Sequence, residues 1–329
     1  MVTLRTKHRT KEASAFLFYK CLKNHKSDIK ANSPRTGGNV MIYRLLALNI
    51  DGTLLQTNGK IHKSTKEAIE YVQQKGIYVT LVTSRSFPST KKVAKALKIK
   101  SPLITHQGAF IASSEEKPIY VKRINENITY DTVSFLEALP CQIRLVHEQF
   151  SLANKLKLNN NLLAKTVFTS GDPVFYSQQF VSSLTEYLHD QPVSPPKIEA
   201  YFEDESDLQD AKKALKKMYT EIEMIELDSL RLDIVPADVS KLTGLSYLAS
   251  QLGIQRKEIV YIGDGIDDIP LLEAVGLGVS MWNADFAVKR ASDWVTRSQN
   301  EQGVAYMVKE HFRKQQPIEF LRKMNIIKK

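Results

Sequence analysis

The pattern of hydrophobic and polar positions predicts an alternation of strands and helices over the first third of the chain. Residues 43–51 are almost wholly apolar, as expected for a strand that is buried on both faces. The segment Ser64–Glu67 has the sequence of a capping box and predicts a helix that Gly76 can end. A second apolar strand follows at once, then a lysine-rich helix around 88–98 and a strand at 102–106. This alternation favours parallel strands joined by right-handed crossovers.

Between about residues 124 and 229 the pattern changes to short alternating segments mixed with helices. The expected strands are 142–147, 197–203 and 222–227, and the expected helices are 131–139, 176–189 and 207–218. We therefore predict that residues 124–229 form an inserted α+β domain.

The strand–helix alternation resumes after about residue 230. The expected strands are 231–235, 258–263, 277–281 and 293–296, and the expected helices are 240–252 and 267–275. The predicted fold class is α/β: a doubly wound parallel-sheet core formed by residues 41–123 and 230–312, with the α+β domain inserted between them. In such sheets the reactive loops lie at the carboxyl ends of the strands, so side chains that are distant in sequence can converge there.

The net charge of +10 is concentrated at the amino terminus. Residues 1–40 contain nine Lys or Arg against two acidic residues, a charge of +7, which leaves +3 for the rest of the chain. Their hydrophobic periodicity is weak, so we predict a basic, disordered leader or a non-native extension ahead of a natural start at Met41. A basic leader could instead bind nucleic acid or an anionic membrane, or target the protein to an organelle.

The remaining composition is typical of a globular protein. Hydrophobic residues make up 43% and charged residues 25% of the chain, and no apolar run reaches the roughly 18 residues of a membrane span. Two cysteines, Cys21 and Cys141, exclude a disulfide framework and favour a reducing compartment, so we predict a cytoplasmic protein. Residues 313–329 form a basic, amphipathic C-terminal tail, for which we favour docking on its own core over membrane contact. No nucleic-acid partner is expected, and the oligomeric state is left open.

Four polar segments follow predicted strands or begin a predicted helix. They are Asn49-Ile50-Asp51-Gly52-Thr53 after the first strand, Thr83-Ser84-Arg85 after the second, Lys241 at a helix start, and Gly263-Asp264-Gly265-Ile266-Asp267-Asp268. In this order they resemble the four signatures of the haloacid dehalogenase (HAD) phosphatases, in the spacing of the Cof-type branch. The resemblance extends from about Met41 to about His311.

The resemblance implies magnesium-dependent hydrolysis of a small phosphorylated metabolite, with the inserted domain as a cap that closes over the site. In this family an aspartate at position 49 attacks phosphorus, and Asp51 acts as general acid and base. The family pattern places the phosphate against Thr83, Lys241, Gly52 and the Asp267 position. It assigns Mg²⁺ to position 49, Asp264, Asp268 and the backbone carbonyl of Asp51.

The chain departs from the family at the attacking position, which is Asn49. An amide has no anionic oxygen to offer phosphorus, so the covalent route lacks its nucleophile. The substitution also removes one carboxylate from the magnesium ligands, so Asn49 is at most a weak ligand and magnesium affinity is expected to fall. We therefore predict a HAD hydrolase-like protein that is weak or inactive by the aspartyl-phosphate route.

Three further interpretations stay open on sequence grounds. Asp267 stands where the branch usually has asparagine, so either Asp267 or Asp51 could activate water in a working phosphatase. The chain could instead be a non-catalytic protein that binds a phosphorylated metabolite, or a scaffold recruited through its leader.

Ser84, Gln107 and Trp282 also depart from the residues common in the branch, and all three lie on loops expected near the site. Whether the chain is an enzyme is not decided by its sequence.

Overall fold

The computed structural model of the protein describes residues 41–155 and 177–327. Backbone contacts separate residues 1–41 from a compact unit of residues 42–329, and all that follows concerns this second unit. The leader predicted at 1–40 therefore lies outside the described residues.

The core sheet has five parallel strands in the spatial order β14-β13-β12-β1-β2, numbered along the chain. They are β1 (Leu45–Leu48), β2 (Tyr78–Leu81), β12 (Ile259–Gly263), β13 (Leu277–Ser280) and β14 (Trp294–Val295). Leu46 and Leu48 of β1 pack into one hydrophobic layer, whereas Leu45 and Ala47 pack into the other. Both faces are thus covered, which is why the strand is a continuous apolar run.

Helices cover both faces of this sheet and one face of a second sheet. Along the described chain they are α1 (Lys63–Gln74), α2 (Phe87–Ala96), α3 (Glu126–Glu137), α4 (Leu184–Asp190), α5 (Glu205–Met218), α6 (Lys241–Gln251), α7 (Ile269–Ala274), α8 (Phe286–Ala291), α9 (Gly303–His311) and α10 (Ile318–Lys323). Short 3₁₀ turns occur at His106–Gly108, Arg256–Glu258, Ile266–Asp268 and Gln299–Glu301. The predicted α/β fold class with an inserted α+β domain is confirmed.

The predicted strand at 102–106 is present as β3 (Leu103–Thr105), but its partners differ from those expected. It forms an antiparallel three-stranded sheet with β4 (Phe110–Ala112) and β5 (Pro118–Val121), and touches the core sheet through one parallel bridge between Val82 and Ile104. The strands β4 and β5 span three and four residues, too few for periodicity to reveal them.

The inserted domain, called the cap below, contains a six-stranded sheet in the order β10-β11-β9-β6-β7-β8. Its strands are β6 (Cys141–Val146), β7 (Phe150–Asn154), β8 (Ser177–Val181), β9 (Lys197–Phe202), β10 (Ile222–Asp228) and β11 (Arg231–Pro236). Apolar side chains on one face, such as Ile143, Ile198 and Leu232, pack with those of α3, α4 and α5. Alternate residues of the same strands, among them Lys197 and Glu199, place charged groups on the opposite face.

Two predictions for this domain are wrong. The strand expected at 231–235 to resume the core belongs to the cap sheet, because Arg231–Pro236 pairs antiparallel with β9 and β10. The core alternation therefore resumes only after this strand. The helix expected at 176–189 is instead strand β8, paired in parallel with β7, followed by α4, whose amino terminus is capped by Ser183. Sheet pairing here overrides the helical pattern.

The capping box expected at Ser64–Glu67 is also wrong. Helix α1 begins two residues earlier, and His62 is the capping residue: its ring nitrogen accepts a hydrogen bond from the Ser64 backbone N–H. The Ser64 hydroxyl is engaged with the His62 ring and the Gln302 side chain at 2.8 and 2.7 Å. The Ser64 hydroxyl therefore bonds to two side chains, and the helix is capped by His62 instead.

The predicted tail at 313–329 includes helix α10, which packs on the core through Ile318 and Leu321. The Lys75 ammonium donates to the backbone carbonyls of Phe312 and Gln315 and holds the segment that precedes this helix. Among residues 41–155 and 177–327, no helix combines the length and apolarity required to cross a bilayer.

Replacing Leu321 with Ala should lower the free energy of unfolding by about 2–3 kcal/mol, because it removes a buried side chain and leaves a cavity. Phe320→Ala is the matched control, since Phe320 is 48% exposed on the same helix whereas Leu321 is 6% exposed. Urea unfolding of both variants measures the difference. Equal losses would show that α10 does not dock as described.

Candidate functional site

The four polar segments meet at the carboxyl ends of adjacent core strands. Asn49 directly follows β1, Thr83 lies just beyond β2, and Asp264 directly follows β12. Because β1 lies between β12 and β2, these three loops are neighbours in space. Lys241 is the first residue of α6, whose start is fixed by reciprocal hydrogen bonds between Ser240 and Thr243.

The Asn49 side chain links the first and fourth loops. Its amide nitrogen Nδ2 lies 2.9 Å from the backbone carbonyl oxygen of Asp51 and 3.1 Å from Oδ1 of Asp264. A backbone carbonyl can only accept a hydrogen bond, so the amide directs its NH₂ group toward the Asp51 carbonyl and, on the same side, toward Oδ1 of Asp264. This hydrogen-bond network determines the orientation of the amide.

The Asp264 carboxylate is surrounded closely by the first loop. The Thr53 hydroxyl donates to Oδ1 of Asp264 at 2.7 Å, in addition to the Asn49 amide. A Cβ atom at Gly52 would lie 1.7 Å from Oδ2 of Asp264, and Gly52 also has a positive φ of 66°, so only glycine fits there. Burial raises the pKa of Asp264 to about 7, and the charge of Asp268 adds to this rise.

Asp51, the predicted acid and base, forms a two-point ion pair with Arg85. The Arg85 guanidinium donates from Nε to Oδ2 of Asp51 at 2.7 Å and from Nη2 to Oδ1 at 2.6 Å. The Asp51 side chain is 56% exposed, while that of Arg85 is 14% exposed. Both carboxylate oxygens are therefore engaged by one partner.

Lys241 is buried and lies between two carboxylates. Its ammonium is 2.8 Å from Oδ2 of Asp267 and 2.7 Å from Oδ1 of Asp268. Burial works to lower the pKa of Lys241, but the charges of these two acids outweigh it and raise that pKa. Burial works to raise the pKa of Asp267, but the nearby Lys241 charge prevails and lowers it. The predicted phosphate-binding lysine is thus already neutralised within the protein.

Asp268 is wholly buried, and both of its oxygens are used by donors of the chain. Oδ1 accepts from Lys241 and from the Tyr261 hydroxyl, the latter at 2.6 Å. Oδ2 accepts from the backbone N–H groups of Asp264 and Gly265, each at 3.0 Å. In this arrangement Asp268 shapes the fourth loop.

The predicted magnesium ligands do not form a set that fits the ion in this arrangement. Magnesium requires oxygen ligands in near-octahedral array. The Asn49 NH₂ group, which cannot ligate a cation, is bonded to the Asp51 carbonyl and the Asp264 carboxylate. Among residues 41–155 and 177–327, no cluster of three or more His, Cys, Asp or Glu is placed to hold a metal.

Thr83 is fully buried, and its hydroxyl oxygen accepts a hydrogen bond from the Arg85 backbone N–H at 3.1 Å. On the first loop, the backbone N–H groups of Ile50, Asp51 and Gly52 have no partner among the described residues. Consecutive N–H groups of this kind can bind an anion. The first and second loops therefore retain donors for phosphate.

Polar contacts between the cap and the core were not predictable from the sequence. The ammonium of Lys197, on the polar face of the cap sheet, is wholly buried and donates to the Ser84 carbonyl oxygen of the core at 2.6 Å. It also pairs with Asp233 and Glu199 at 2.9 and 2.7 Å. A lysine within a predicted strand carries no local signal of burial, and its partners are brought to it by sheet pairing.

Gln107, noted in the sequence as a departure, also bridges core and cap. Its amide nitrogen lies 3.1 Å from Oδ2 of Asp267 in the core and 3.4 Å from Oδ2 of Asp233 in the cap. The two departures Gln107 and Asp267 are therefore in contact. Gln107 has a left-handed backbone with φ of 59°, which is uncommon for a residue other than glycine.

The stability of the protein should depend on pH through Asp264. A carboxyl group whose pKa rises from 3.8 to about 7 on folding holds a proton that the unfolded chain has released. Its contribution to stability therefore falls as pH rises from about 4 to about 7, by on the order of 2–4 kcal/mol. Urea unfolding across this range should show that the free energy of unfolding of Asp264→Asn increases relative to that of the wild type as pH rises. Asp285→Asn, at an exposed position, controls for loss of one negative charge, and parallel curves for wild type and Asp264→Asn would contradict the assignment.

Comparison with known proteins identifies the family. The sequence model of the haloacid dehalogenase-like hydrolases matches residues 46–308. The chain is 51% identical to the stress response protein YhaX of Bacillus subtilis over 286 residues, which cover 87% of this chain and 99% of YhaX. It is 26% identical to the 5-amino-6-(5-phospho-D-ribitylamino)uracil phosphatase YcsE of the same organism, over 81% of this chain and 94% of that protein.

A solved haloacid dehalogenase-like hydrolase from B. subtilis has the same fold, with a TM-score of 0.71 at 24% identity over 81% of this chain and 99% of that one. The match of the family to most of the chain agrees with the order of the four polar segments and with the convergence of their loops. The chain belongs to the haloacid dehalogenase-like hydrolase family.

Proposed function

We propose that this chain is a Cof-type HAD hydrolase-like protein, related by descent to magnesium-dependent phosphatases of small phosphorylated metabolites, with weak or no turnover by the aspartyl-phosphate route. The observation that carries the proposal is the Asn49 amide, whose NH₂ group is bonded to the Asp51 carbonyl and to Asp264. The attacking position has no anionic oxygen, so the covalent step has no nucleophile.

The ion pairs of the site support the same conclusion. Asp51 would have to leave both nitrogens of Arg85 to act as an acid or base. A phosphate that approaches Lys241 would compete with Asp267 and Asp268 for the ammonium. Because buried carboxylates already neutralise this lysine, its attraction for a phosphate is reduced.

Binding of a phosphorylated ligand is nevertheless compatible with the site. The unpartnered N–H groups at 50–52 and the Thr83 hydroxyl supply donors for an anion. Members of the superfamily are generally magnesium-dependent, and we propose a lowered magnesium affinity here. By similarity to YcsE the ligand would be a small phosphorylated metabolite, and by similarity to YhaX the setting would be a stress response. The low cysteine content favours a cytoplasmic location. The role we propose is therefore binding or regulation, that of a pseudoenzyme.

Cysteine chemistry has no part in this proposal. Within the described residues Cys141 is buried, and burial raises the pKa of its thiol to about 12. The thiolate, which is the reactive form of cysteine, is therefore not populated near neutral pH.

Asn49→Asp should raise kcat/KM on a panel of phosphorylated sugars and nucleotides with magnesium. Loss of a covalent nucleophile in other enzymes lowers the rate by on the order of 10⁴–10⁶, so its return should raise kcat/KM by a large part of that factor. Adding Asp267→Asn should raise it further, because Lys241 then keeps only Asp268 as a partner. Steady-state phosphate release measures both effects.

The matched control for this series is Asn58→Asp, the same substitution at an exposed loop position. It should leave phosphate release at the wild-type level. Robust turnover by the wild type that Asp51→Ala or Asp267→Asn abolishes would overturn the proposal. No gain in either Asn49 variant would mean that the pocket itself has been reshaped, around residues such as Ser84, Gln107 and Trp282.

Any turnover of the wild-type protein should proceed without a phosphorylated form of the chain. The alternative to inactivity is direct attack by water that Asp267 or Asp51 activates. This transfers one solvent oxygen to phosphate without any phosphoryl group on the protein, whereas the covalent route gives the same label in phosphate but passes through a phosphorylated protein. A single-turnover reaction in ¹⁸O-water, with mass spectrometry of both phosphate and protein, measures this. An adduct mapped to position 49 would show that the amide does serve as the nucleophile.

A further inference from the structure

We propose that the Asn49 carboxamide replaces the divalent cation structurally, cross-linking the first and fourth loops so that the site is assembled without metal. This goes beyond lowered magnesium affinity. It does not depend on the proposed function, because it concerns only how the loops are held together.

The first and fourth loops present oxygen atoms that cannot bond to one another. The Asp51 carbonyl belongs to the loop after β1, and the Asp264 carboxylate to the loop after β12, the neighbouring strand. The Asp51 carbonyl can only accept hydrogen bonds, and Oδ1 of Asp264 also accepts, since the Thr53 hydroxyl donates to it. Partly buried acceptors need a donor or a cation between them. The family pattern implies a cation between these two groups.

The Asn49 amide supplies this link with the two hydrogens of its nitrogen. One N–H lies toward the Asp51 carbonyl at 2.9 Å and the other toward Asp264 Oδ1 at 3.1 Å, both normal hydrogen-bond lengths. Asn49 is 7% exposed, so solvent competes little for these bonds. An aspartate would place a third acceptor against the same two oxygens.

The remaining bonds around these loops are also made within the chain. The Thr53 hydroxyl provides a second donor to Asp264 Oδ1. Asp268 holds the backbone N–H groups of Asp264 and Gly265, and the Asn283 amide donates to the Gly52 carbonyl at 2.9 Å. Each loop is thus fixed by protein donors and acceptors, which is why a metal is dispensable for its geometry.

The test compares melting temperature and magnesium binding in the wild type, Asn49→Asp and Asn58→Asp, without any substrate. Wild type and Asn58→Asp should melt at the same temperature in EDTA and in MgCl₂. Asn49→Asp should melt about 3–6 °C lower in EDTA, because three acceptors then face one another, and magnesium should recover this loss. Isothermal titration with MgCl₂ should show at least about tenfold tighter binding to Asn49→Asp than to the wild type.

If Asn49→Asp does not fold, Asn49→Ala provides the second test. Removing the donor should lower the melting temperature in EDTA by a few degrees, and magnesium should not recover it fully, since alanine supplies no ligand. A wild type that magnesium stabilises as strongly as Asn49→Asp would overturn the proposal. An Asn49→Ala variant whose melting temperature in EDTA equals that of the wild type would also overturn it. Failure of the phosphatase series leaves these outcomes unaffected, so the two proposals fail separately.

Discussion

The Asn49 carboxamide donates hydrogen bonds to two acceptors, the backbone carbonyl of Asp51 and Oδ1 of Asp264. The rest of the site depends on this contact, because it joins the loops after β1 and β12 at the point where a nucleophile and a cation would otherwise meet. A single change from carboxylate to amide therefore acts twice. It removes the anionic oxygen needed for attack on phosphorus, and it supplies two N–H groups in the place of a positive charge.

Buried ion pairs extend from this site into the cap. Lys241 is neutralised by Asp267 and Asp268, and Gln107 joins Asp267 to Asp233 of the cap. Asp233 in turn pairs with Lys197, whose ammonium reaches the Ser84 carbonyl of the core. Breaking a buried pair by removing one partner typically costs 3–5 kcal/mol. The cap is therefore held against the core by polar contacts that include two positions, Gln107 and Asp267, at which the chain departs from its branch.

The sequence predicted the core well and the cap less well, for a common reason. A strand buried on both faces must be apolar along its whole length, so β1, β2 and β12 were visible as runs. Strand β8 has little apolar character and depends on pairing with β7, so its sequence suggested a helix. Strand β11 was visible, but its sheet was not, because an apolar run does not encode which neighbours it will pair with. Ser64 was mistaken for a helix cap because its hydroxyl is used by Gln302, 238 residues away in the chain.

The sequence by itself determined the family, the order of the polar segments and the absence of a carboxylate at position 49, since these are matters of residue identity and spacing. Only the tertiary structure decided what those residues do to one another: that the Asn49 amide bonds Asp264, that Arg85 engages Asp51, and that Asp267 and Asp268 neutralise Lys241. Hydrogen bonds and ion pairs act over a few ångströms. Their partners here come from different strands and from two domains, and such distances exist only once the chain has folded.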